Sequence, residues 1–190
     1  TTAEQDSRIR QDILAWTQKP KVIGVGETGL DYHYRKETKA KQCDMFTVHL
    51  QAAAKAKLPV IVHTREARKD TLMLIKSHGC MESAGVLHCF TEDWDMAARA
   101  IDMNYYISIS GIVTFRNASS LRDVVKRLPL ERMLVETDSP YLAPVPYRGK
   151  SNEPRFVVEV AKYIAELKGV SFGHLVEQTS QNFFHLFPKA

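Results

Sequence analysis

The chain repeats one local pattern, in which a short aliphatic run ends on a polar residue and a segment with helical spacing of apolar residues follows. These runs predict strands at residues 22–26, 59–62, 85–87, 105–110 and 132–135. Strands that alternate with helices predict a parallel sheet joined by helical crossovers. We therefore expect an α/β protein, built either as an open doubly wound sheet or as a TIM-barrel-type (β/α)8 fold.

The predicted helices carry apolar residues three and four positions apart, which is the spacing of an amphipathic helix. Residues 3–18 place Ile9, Ile13 and Trp16 on one face. Further helices are predicted at residues 38–57 and 66–78, around Trp94, after a candidate N-cap at Asn117, after Pro154 and after Ser171. Each of them would bury one face against the sheet.

Polar residues end four of the predicted strands or follow them closely, namely Glu27, His63, His88 and Asp138. In a (β/α)8 barrel the catalytic residues lie at the carboxyl ends of the strands. The segment GVGETG lacks the GxGxxG spacing of a dinucleotide-binding turn, which is typical of the doubly wound alternative. The sequence therefore favours the barrel.

These residue types predict a metal site, because carboxylate oxygens and imidazole nitrogens bind divalent zinc, manganese or magnesium. Glu27 lies between Gly26 and Gly29 after an apolar run, so we expect it to be buried and to need a positive partner. One histidine after a strand is more often an ordinary hydrogen-bonded residue, but four residues at equivalent strand ends favour a shared cation. Glu136 has the strand parity of Asp138, so the pattern leaves open which acid coordinates. The metal would activate a water, and a nearby carboxylate would accept its proton.

Several residues near these strand ends are candidates for substrate contact. Arg148 precedes a helix predicted to begin at Pro154, where free amides favour anions, although a solvated loop would have the same sequence. Arg65 lies two residues after His63 and would face the same rim. Tyr32 and Tyr141 could stack on a base, but packing against the wall of the fold is the commoner role of such rings.

Composition excludes several classes of protein without selecting one. The 190 residues fit a single domain, and the net charge of +4 is far from the dense basic stripe of a dedicated DNA-binding protein. The apolar runs are much shorter than the roughly 20 residues of a membrane span. The three cysteines form no CxxC pair, which favours a reducing compartment and a cytoplasmic location.

The longer motifs of the chain resemble those of one family across residues 22–187. The motifs are GETGLDYH, PVIVHTREA, GVLHCFTE, SGIVTFRNA, VETDSPYLAP, RGKSNEP and TSQNFFHLF. They are similar to the TatD family of metal-dependent deoxyribonucleases, and within it to the YcfH-type bacterial members. The resemblance implies a (β/α)8 barrel, two divalent metal ions (Mg, Mn or Zn) and hydrolysis of DNA phosphodiester bonds, often as a 3′–5′ exonuclease.

The resemblance also implies roles for matching residues. Glu27 would bridge both metal ions, His63 and His88 would bind one of them, and Asp138 would bind the other and assist the attacking water. Glu27 and Asp138 would thus be the catalytic residues. The implied phosphate contacts are Arg65, Arg148 and Asn152.

One feature of the family is missing from the chain. The family opens with a strand that carries an HxH pair, and no HxH occurs in these 190 residues. Counting back from Asp138 as the eighth strand, residue 22 would begin the fourth. We therefore expect the C-terminal part of a barrel, about strands 4 to 8, whose open edges are covered by a missing N-terminal segment or by another chain. This part would hold at most one metal tightly, at Glu27, His63 and His88.

Two other functions remain open from the sequence. The same metal chemistry can hydrolyse an amide, a lactone or an aminoacyl ester. Alternatively, the chain is a catalytically inactive barrel fragment that associates with another chain.

Overall fold

The structure is a computed structural model that describes residues 3–34 and 36–190. Within these residues five strands form one parallel sheet. The strands are β1 (Val25–Asp31), β2 (Val60–Arg65), β3 (Gly85–Leu87), β4 (Tyr106–Ile109) and β5 (Met133–Val135). The predicted α/β class is confirmed.

Seven α-helices precede, connect and follow these strands in the described residues. They are α1 (Ala3–Thr17), α2 (Lys39–Ala56), α3 (Arg68–His78), α4 (Trp94–Asp102), α5 (Ser119–Arg127), α6 (Val157–Lys168) and α7 (Phe172–Leu186). None of the described helices is long and apolar enough to cross a membrane.

The strands lie in the sheet in their chain order, β1-β2-β3-β4-β5. A doubly wound sheet reverses its strand order at a switch point, whereas right-handed crossovers between sequential neighbours all lie on one face. This order is that of a TIM-barrel-type fold. Among the described strands, β1 and β5 are the edges of the sheet. Whether the five strands are strands 4 to 8 of a closed barrel stays a prediction.

The helices cover one face of the sheet and form the main core with it. On α2 the predicted stripe is buried, with Phe46 and Leu50 at 0% exposure and Ala53 at 1%. These residues pack in one cluster with Val62 of β2 and Leu87 of β3. Apolar residues at three- and four-residue spacing therefore account for the helical layer.

The opposite face of the sheet lines an open cleft of about 750 Å³. Val86, Leu134 and Phe187 line it and belong to a smaller apolar cluster that Tyr106 and Leu186 complete. The polar residues Glu27, His88, Glu136 and Asp138 also line this cleft. The fold thus gives the sheet an apolar outer face and a concave inner face with charged residues.

Three expectations about local structure were wrong. The first strand begins at Val25 rather than at residue 22 and runs past Glu27 to Asp31. Trp16 is 61% exposed instead of packing inward, and Lys19 Nζ lies 3.9 Å from the centre of its ring. The N-cap of α5 is Ala118 and not Asn117.

Candidate metal centre

The four predicted ligands come from β1 and β2 and from the loops after β3 and β5. Glu27 and His63 lie within β1 and β2, whereas His88 follows β3 directly and Asp138 lies three residues beyond β5. Because parallel neighbours align their carboxyl ends, the side chains converge on the inner face of the sheet.

The glycines on either side of Glu27 allow β1 to lie close against β2. A Cβ atom at Gly26 would lie 2.7 Å from Cβ of Ile61, and one at Gly29 would collide with the carbonyl oxygen of His63. Gly29 also has φ = +143°, a conformation that favours glycine. The motif GETG is therefore explained by the close packing of two strands that each carry a ligand.

Glu27, His63 and His88 form the first group of potential ligands. Glu27 Oε1 lies 3.3 Å from His63 Nδ1 and 2.9 Å from His88 Nε2. One donor atom from each of the three residues lies within 4.8 Å of the others. This spacing allows one cation to contact all three side chains.

His88, Glu136 and Asp138 form a second group that meets the same distance limit. His88 Nδ1 lies 3.3 Å from Glu136 Oε1. The question left open by strand parity is thus answered geometrically, since both acids face the site. His88 belongs to both groups, so the two potential ion positions are adjacent.

Carboxylates lie beside both histidine rings on the sides away from Glu27. Asp31 Oδ2 is 3.2 Å from His63 Nε2, and Glu136 takes the corresponding place beside His88. Histidines that bind metals commonly have such a partner, which fixes the ring and its tautomer. The sequence analysis missed Asp31, although its spacing of four from Glu27 along a strand places both residues on one face.

The charges of the site shift the pKa values of its buried groups. Burial opposes the charged form of His88, but the neighbouring Glu136 and Glu27 carboxylates outweigh it and raise the pKa of His88 to about 9. Burial likewise opposes ionisation of Glu136, yet hydrogen bonds from His88 and Ser108 hold the pKa of its carboxyl below the usual value. For Asp138, burial and repulsion by Glu136 raise the pKa.

Two residues at or beside the site have left-handed backbone conformations. Asp138 has φ = +59° and Cys89, directly after His88, has φ = +44°. Left-handed conformations are uncommon outside glycine, and they cluster at functional sites because the surrounding structure enforces them.

The expectation that Glu27 is a buried carboxylate was wrong. Its side chain is 53% exposed, because β1 is an edge of the described sheet and the cleft beside it is open. The side chains of Glu136 and His88 are less exposed, at 20% and 15%.

The donor set fits divalent metal ions. Carboxylates surround the two imidazole rings within hydrogen-bonding range, and their mutual repulsion contributes to the raised pKa of Asp138. A divalent cation would relieve this repulsion, and oxygen and imidazole ligands suit zinc and manganese in particular.

Two of the predicted phosphate contacts are Arg65, half-exposed at the end of β2, and Arg148, exposed in the segment between β5 and α6. The Arg65 guanidinium stacks on the ring of Tyr34 with Cζ 4.8 Å from the ring centre. Arg148 packs on Phe115 at 3.6 Å and donates to the carbonyl oxygen of Ala143.

Asn152, the third predicted phosphate contact, is only 4% exposed. Its Nδ2 donates to the carbonyl oxygens of Thr137 and Tyr141, at 2.7 and 2.6 Å. Asn152 thus fixes the loop that carries Asp138, and its amide hydrogens are used by the backbone.

The two tyrosines considered for base stacking differ in exposure. Tyr32 is 7% exposed and its hydroxyl lies 2.9 Å from Asp70 Oδ2, so it packs against the wall of the fold. Tyr141 is 71% exposed and Tyr34, which the sequence analysis did not single out, is 69% exposed.

Comparison with known proteins gives matches over nearly the whole chain. The family model described as TatD related DNase matches residues 1–188. The uncharacterized metal-dependent hydrolase YcfH of Escherichia coli (strain K12) is 51% identical over 177 residues, which are 93% of this chain and 67% of that protein. The uncharacterized metal-dependent hydrolase YabD of Bacillus subtilis (strain 168) is 41% identical over 183 residues, which are 94% of this chain and 72% of that protein.

Solved structures of similar proteins share the fold. YjjV, a TatD homologue from Escherichia coli K12, superposes with a TM-score of 0.87 and 28% identity over 99% of this chain and 71% of that one. A TatD family hydrolase from Entamoeba histolytica superposes with a TM-score of 0.79 and 23% identity, over 90% of this chain and 64% of that one. The chain thus spans about two thirds of the length of the proteins that it matches.

Proposed function

Because this chain belongs to the TatD-related DNase family, we propose that it carries the metal centre of a hydrolase that cleaves DNA phosphodiester bonds, as a 3′–5′ exonuclease. The observation that carries the proposal is that Glu27 lies within 3.3 Å of both histidines while His88 also belongs to the second group. With His88 bound to one ion, Glu136 and Asp138 beside it would be ligands for a second divalent ion in the complete protein.

The protein residues hold and orient the reacting groups in this proposal. Bound divalent ions would activate water and neutralise phosphate charge, which are their usual contributions to phosphodiester hydrolysis. Glu27, His63 and His88 supply the first group of ligands, and Asp31 and Glu136 orient the two rings. Asp138 presents a carboxylate that can accept a proton from the attacking water.

The surroundings of the site suit an extended anionic substrate. Arg65 is the last residue of β2 and Arg148 lies in the segment between β5 and α6, where a strand of DNA would pass. Guanidinium groups match phosphate geometry well, and exposed aromatic rings such as Tyr141 suit stacking on unpaired bases.

We also propose that the inner face of the sheet is covered in the complete protein, by an N-terminal segment or by another chain. The cleft is open, and Phe184 at its border is 61% exposed. Open sheet edges and exposed aromatic residues favour association with another segment. This chain would then form the C-terminal part of the catalytic domain.

The test is cleavage of 5′-labelled single-stranded DNA by the chain and by Glu27→Ala, with Mg²⁺, Mn²⁺ or Zn²⁺. We expect shortening from the 3′ end that EDTA abolishes and that Glu27→Ala reduces at least about 100-fold. Glu37→Ala is the matched control, since Glu37 is also an exposed glutamate but lies in the turn Lys36–Thr38. If a complete protein that contains this sequence binds metal at the site and leaves DNA uncut with all three ions, the proposed activity is wrong.

A further inference from the structure

The carboxylate of Asp31 holds a potential metal ligand and a surface turn at the same time. Its Oδ2 lies 3.2 Å from His63 Nε2. Its Oδ1 accepts hydrogen bonds from the backbone N–H groups of His33 and Tyr34, at 2.9 and 3.1 Å. The position of Tyr34 is therefore tied to that of His63 through one side chain.

Asp31 is itself held in place by Gln42 of α2. The backbone N–H of Asp31 donates to Gln42 Oε1 at 2.7 Å, and Gln42 Nε2 donates to the carbonyl oxygen of Asp31 at 3.0 Å. This pair of bonds replaces those of a neighbouring strand at the edge of the sheet. The turn after β1 therefore starts from a well-anchored residue.

The ring of Tyr34 is supported from within the protein but faces solvent over most of its surface. Arg65 places its Cζ 4.8 Å from the ring centre, and the His33 ring meets it edge-on at 4.7 Å. His33 is fixed in turn, because its Nδ1 lies 2.7 Å from Glu66 Oε1. With these supports the Tyr34 side chain is still 69% exposed.

We propose that Tyr34 is a stacking platform for the nucleobase next to the cleaved phosphate and that Arg65 beside it contacts the backbone phosphate, an inference that rests on the proposed function. An aromatic face beside a guanidinium matches the two parts of a nucleotide, its base and its phosphate. Stacking on tyrosine accepts every base, so this platform gives a preference for unpaired nucleotides without selecting a sequence.

The experiment measures binding of two short fluorescein-labelled single strands by anisotropy in Mg²⁺. One strand has ordinary nucleotides, and the other has abasic sites at its last two 3′ positions. Both carry a phosphorothioate 3′-terminal linkage that slows hydrolysis. The proteins are the unaltered chain, Tyr34→Ala, Tyr34→Phe and Trp16→Ala.

We expect Tyr34→Ala to weaken binding of the ordinary strand about tenfold and binding of the abasic strand by less than about twofold. Tyr34→Phe keeps the aromatic face and should retain most of the affinity for the ordinary strand. Trp16→Ala is the matched control, because Trp16 is an exposed ring with a cation on its face but lies at the end of α1, away from the site.

The outcomes separate this inference from the function on which it rests. An equal loss on both strands, or no loss on either, would show that Tyr34 does not contact a base and would overturn the inference. Absence of binding to both strands by the unaltered chain would instead count against DNA as the substrate.

Discussion

The two ends of the metal centre use the same residue types in different surroundings. At the β1 end, Glu27 is 53% and His63 33% exposed, and the carboxylate of Asp31 lies at an edge of the described sheet. At the β5 end, Glu136 is 20% and His88 15% exposed. The pKa of His88, at the more buried β5 end, is strongly raised, because charges interact more strongly away from water. The sheet thus buries Glu136 and His88 more deeply than Glu27 and His63.

Glu27 should contribute most to metal binding, because it is the carboxylate that reaches both histidines. We expect Glu27→Ala to weaken Zn²⁺ or Mn²⁺ binding by at least about 100-fold, measured by isothermal titration calorimetry. A loss below about fivefold would mean that the ions bind at the β5 end without Glu27.

Asp31 and Glu136 should have smaller effects on the ion held by Glu27, His63 and His88, since they act on that ion through the rings. We expect Glu136→Gln and Asp31→Asn each to weaken metal binding about 10- to 100-fold, with the larger loss at the buried Glu136. The metal affinity of each variant is measured by competition with a chromophoric chelator. An equal or larger loss for Asp31→Asn would contradict the view that the β5 end is the stronger one.

The two ends also differ in how side chains brace the backbone. Asn182 of α7 is 4% exposed and donates to the carbonyl oxygens of Leu130 and Met133 beside β5. Gln42 makes the corresponding pair of bonds at β1 in a half-exposed position. We expect Asn182→Ala to lower the free energy of unfolding in urea by about 2 kcal/mol and Gln42→Ala by about 1 kcal/mol. The reverse order would show that the β1 edge is the more tightly held.

The smallest expected effect is a pH dependence near the β1 end. Lys39 and the Tyr32 hydroxyl stabilise the Asp70 carboxylate and lower its pKa. A carboxyl with a lowered pKa stabilises the fold above its unfolded pKa of about 3.9, and this contribution is lost as the pH falls through the folded value. The unaltered chain should therefore have a slightly higher Tm than Asp70→Asn at pH 7, and the difference should shrink below about pH 4. A difference that stays constant across this range would show that the ionised carboxylate is not responsible.

The positions of strands and helices could be predicted closely where the sequence has a clear pattern of apolar residues. The bounds of β3 are those predicted, and Phe46 and Leu50 are buried as their spacing indicated. The first strand was misplaced because its residues from Glu27 to Asp31, apart from the buried Leu30, are polar or glycine. The burial of Trp16 was also mispredicted. Its spacing places it on the apolar face of α1, but it lies at the end of that helix, where its ring stays exposed.

The sequence predicted the candidate site only as a set of four ligands, one near the end of each of four strands. That rule places Glu27, His63, His88 and Asp138 near each other, and the structure brings them together with Glu136. The contact of Asp31 with His63 depends on the register of β1 against β2. The burial of Asn152 depends on how the loop after β5 turns back over the sheet, and no spacing rule encodes that turn.

The central claim is that Glu27, His63 and His88 converge because they bind one divalent ion. The most direct test is a crystal structure of the chain soaked with Zn²⁺ or Mn²⁺, with an anomalous difference map. We predict a peak about 2.0–2.2 Å from one oxygen of Glu27 and one nitrogen of each histidine. A map in which the ion contacts at most one of these three side chains would contradict the claim.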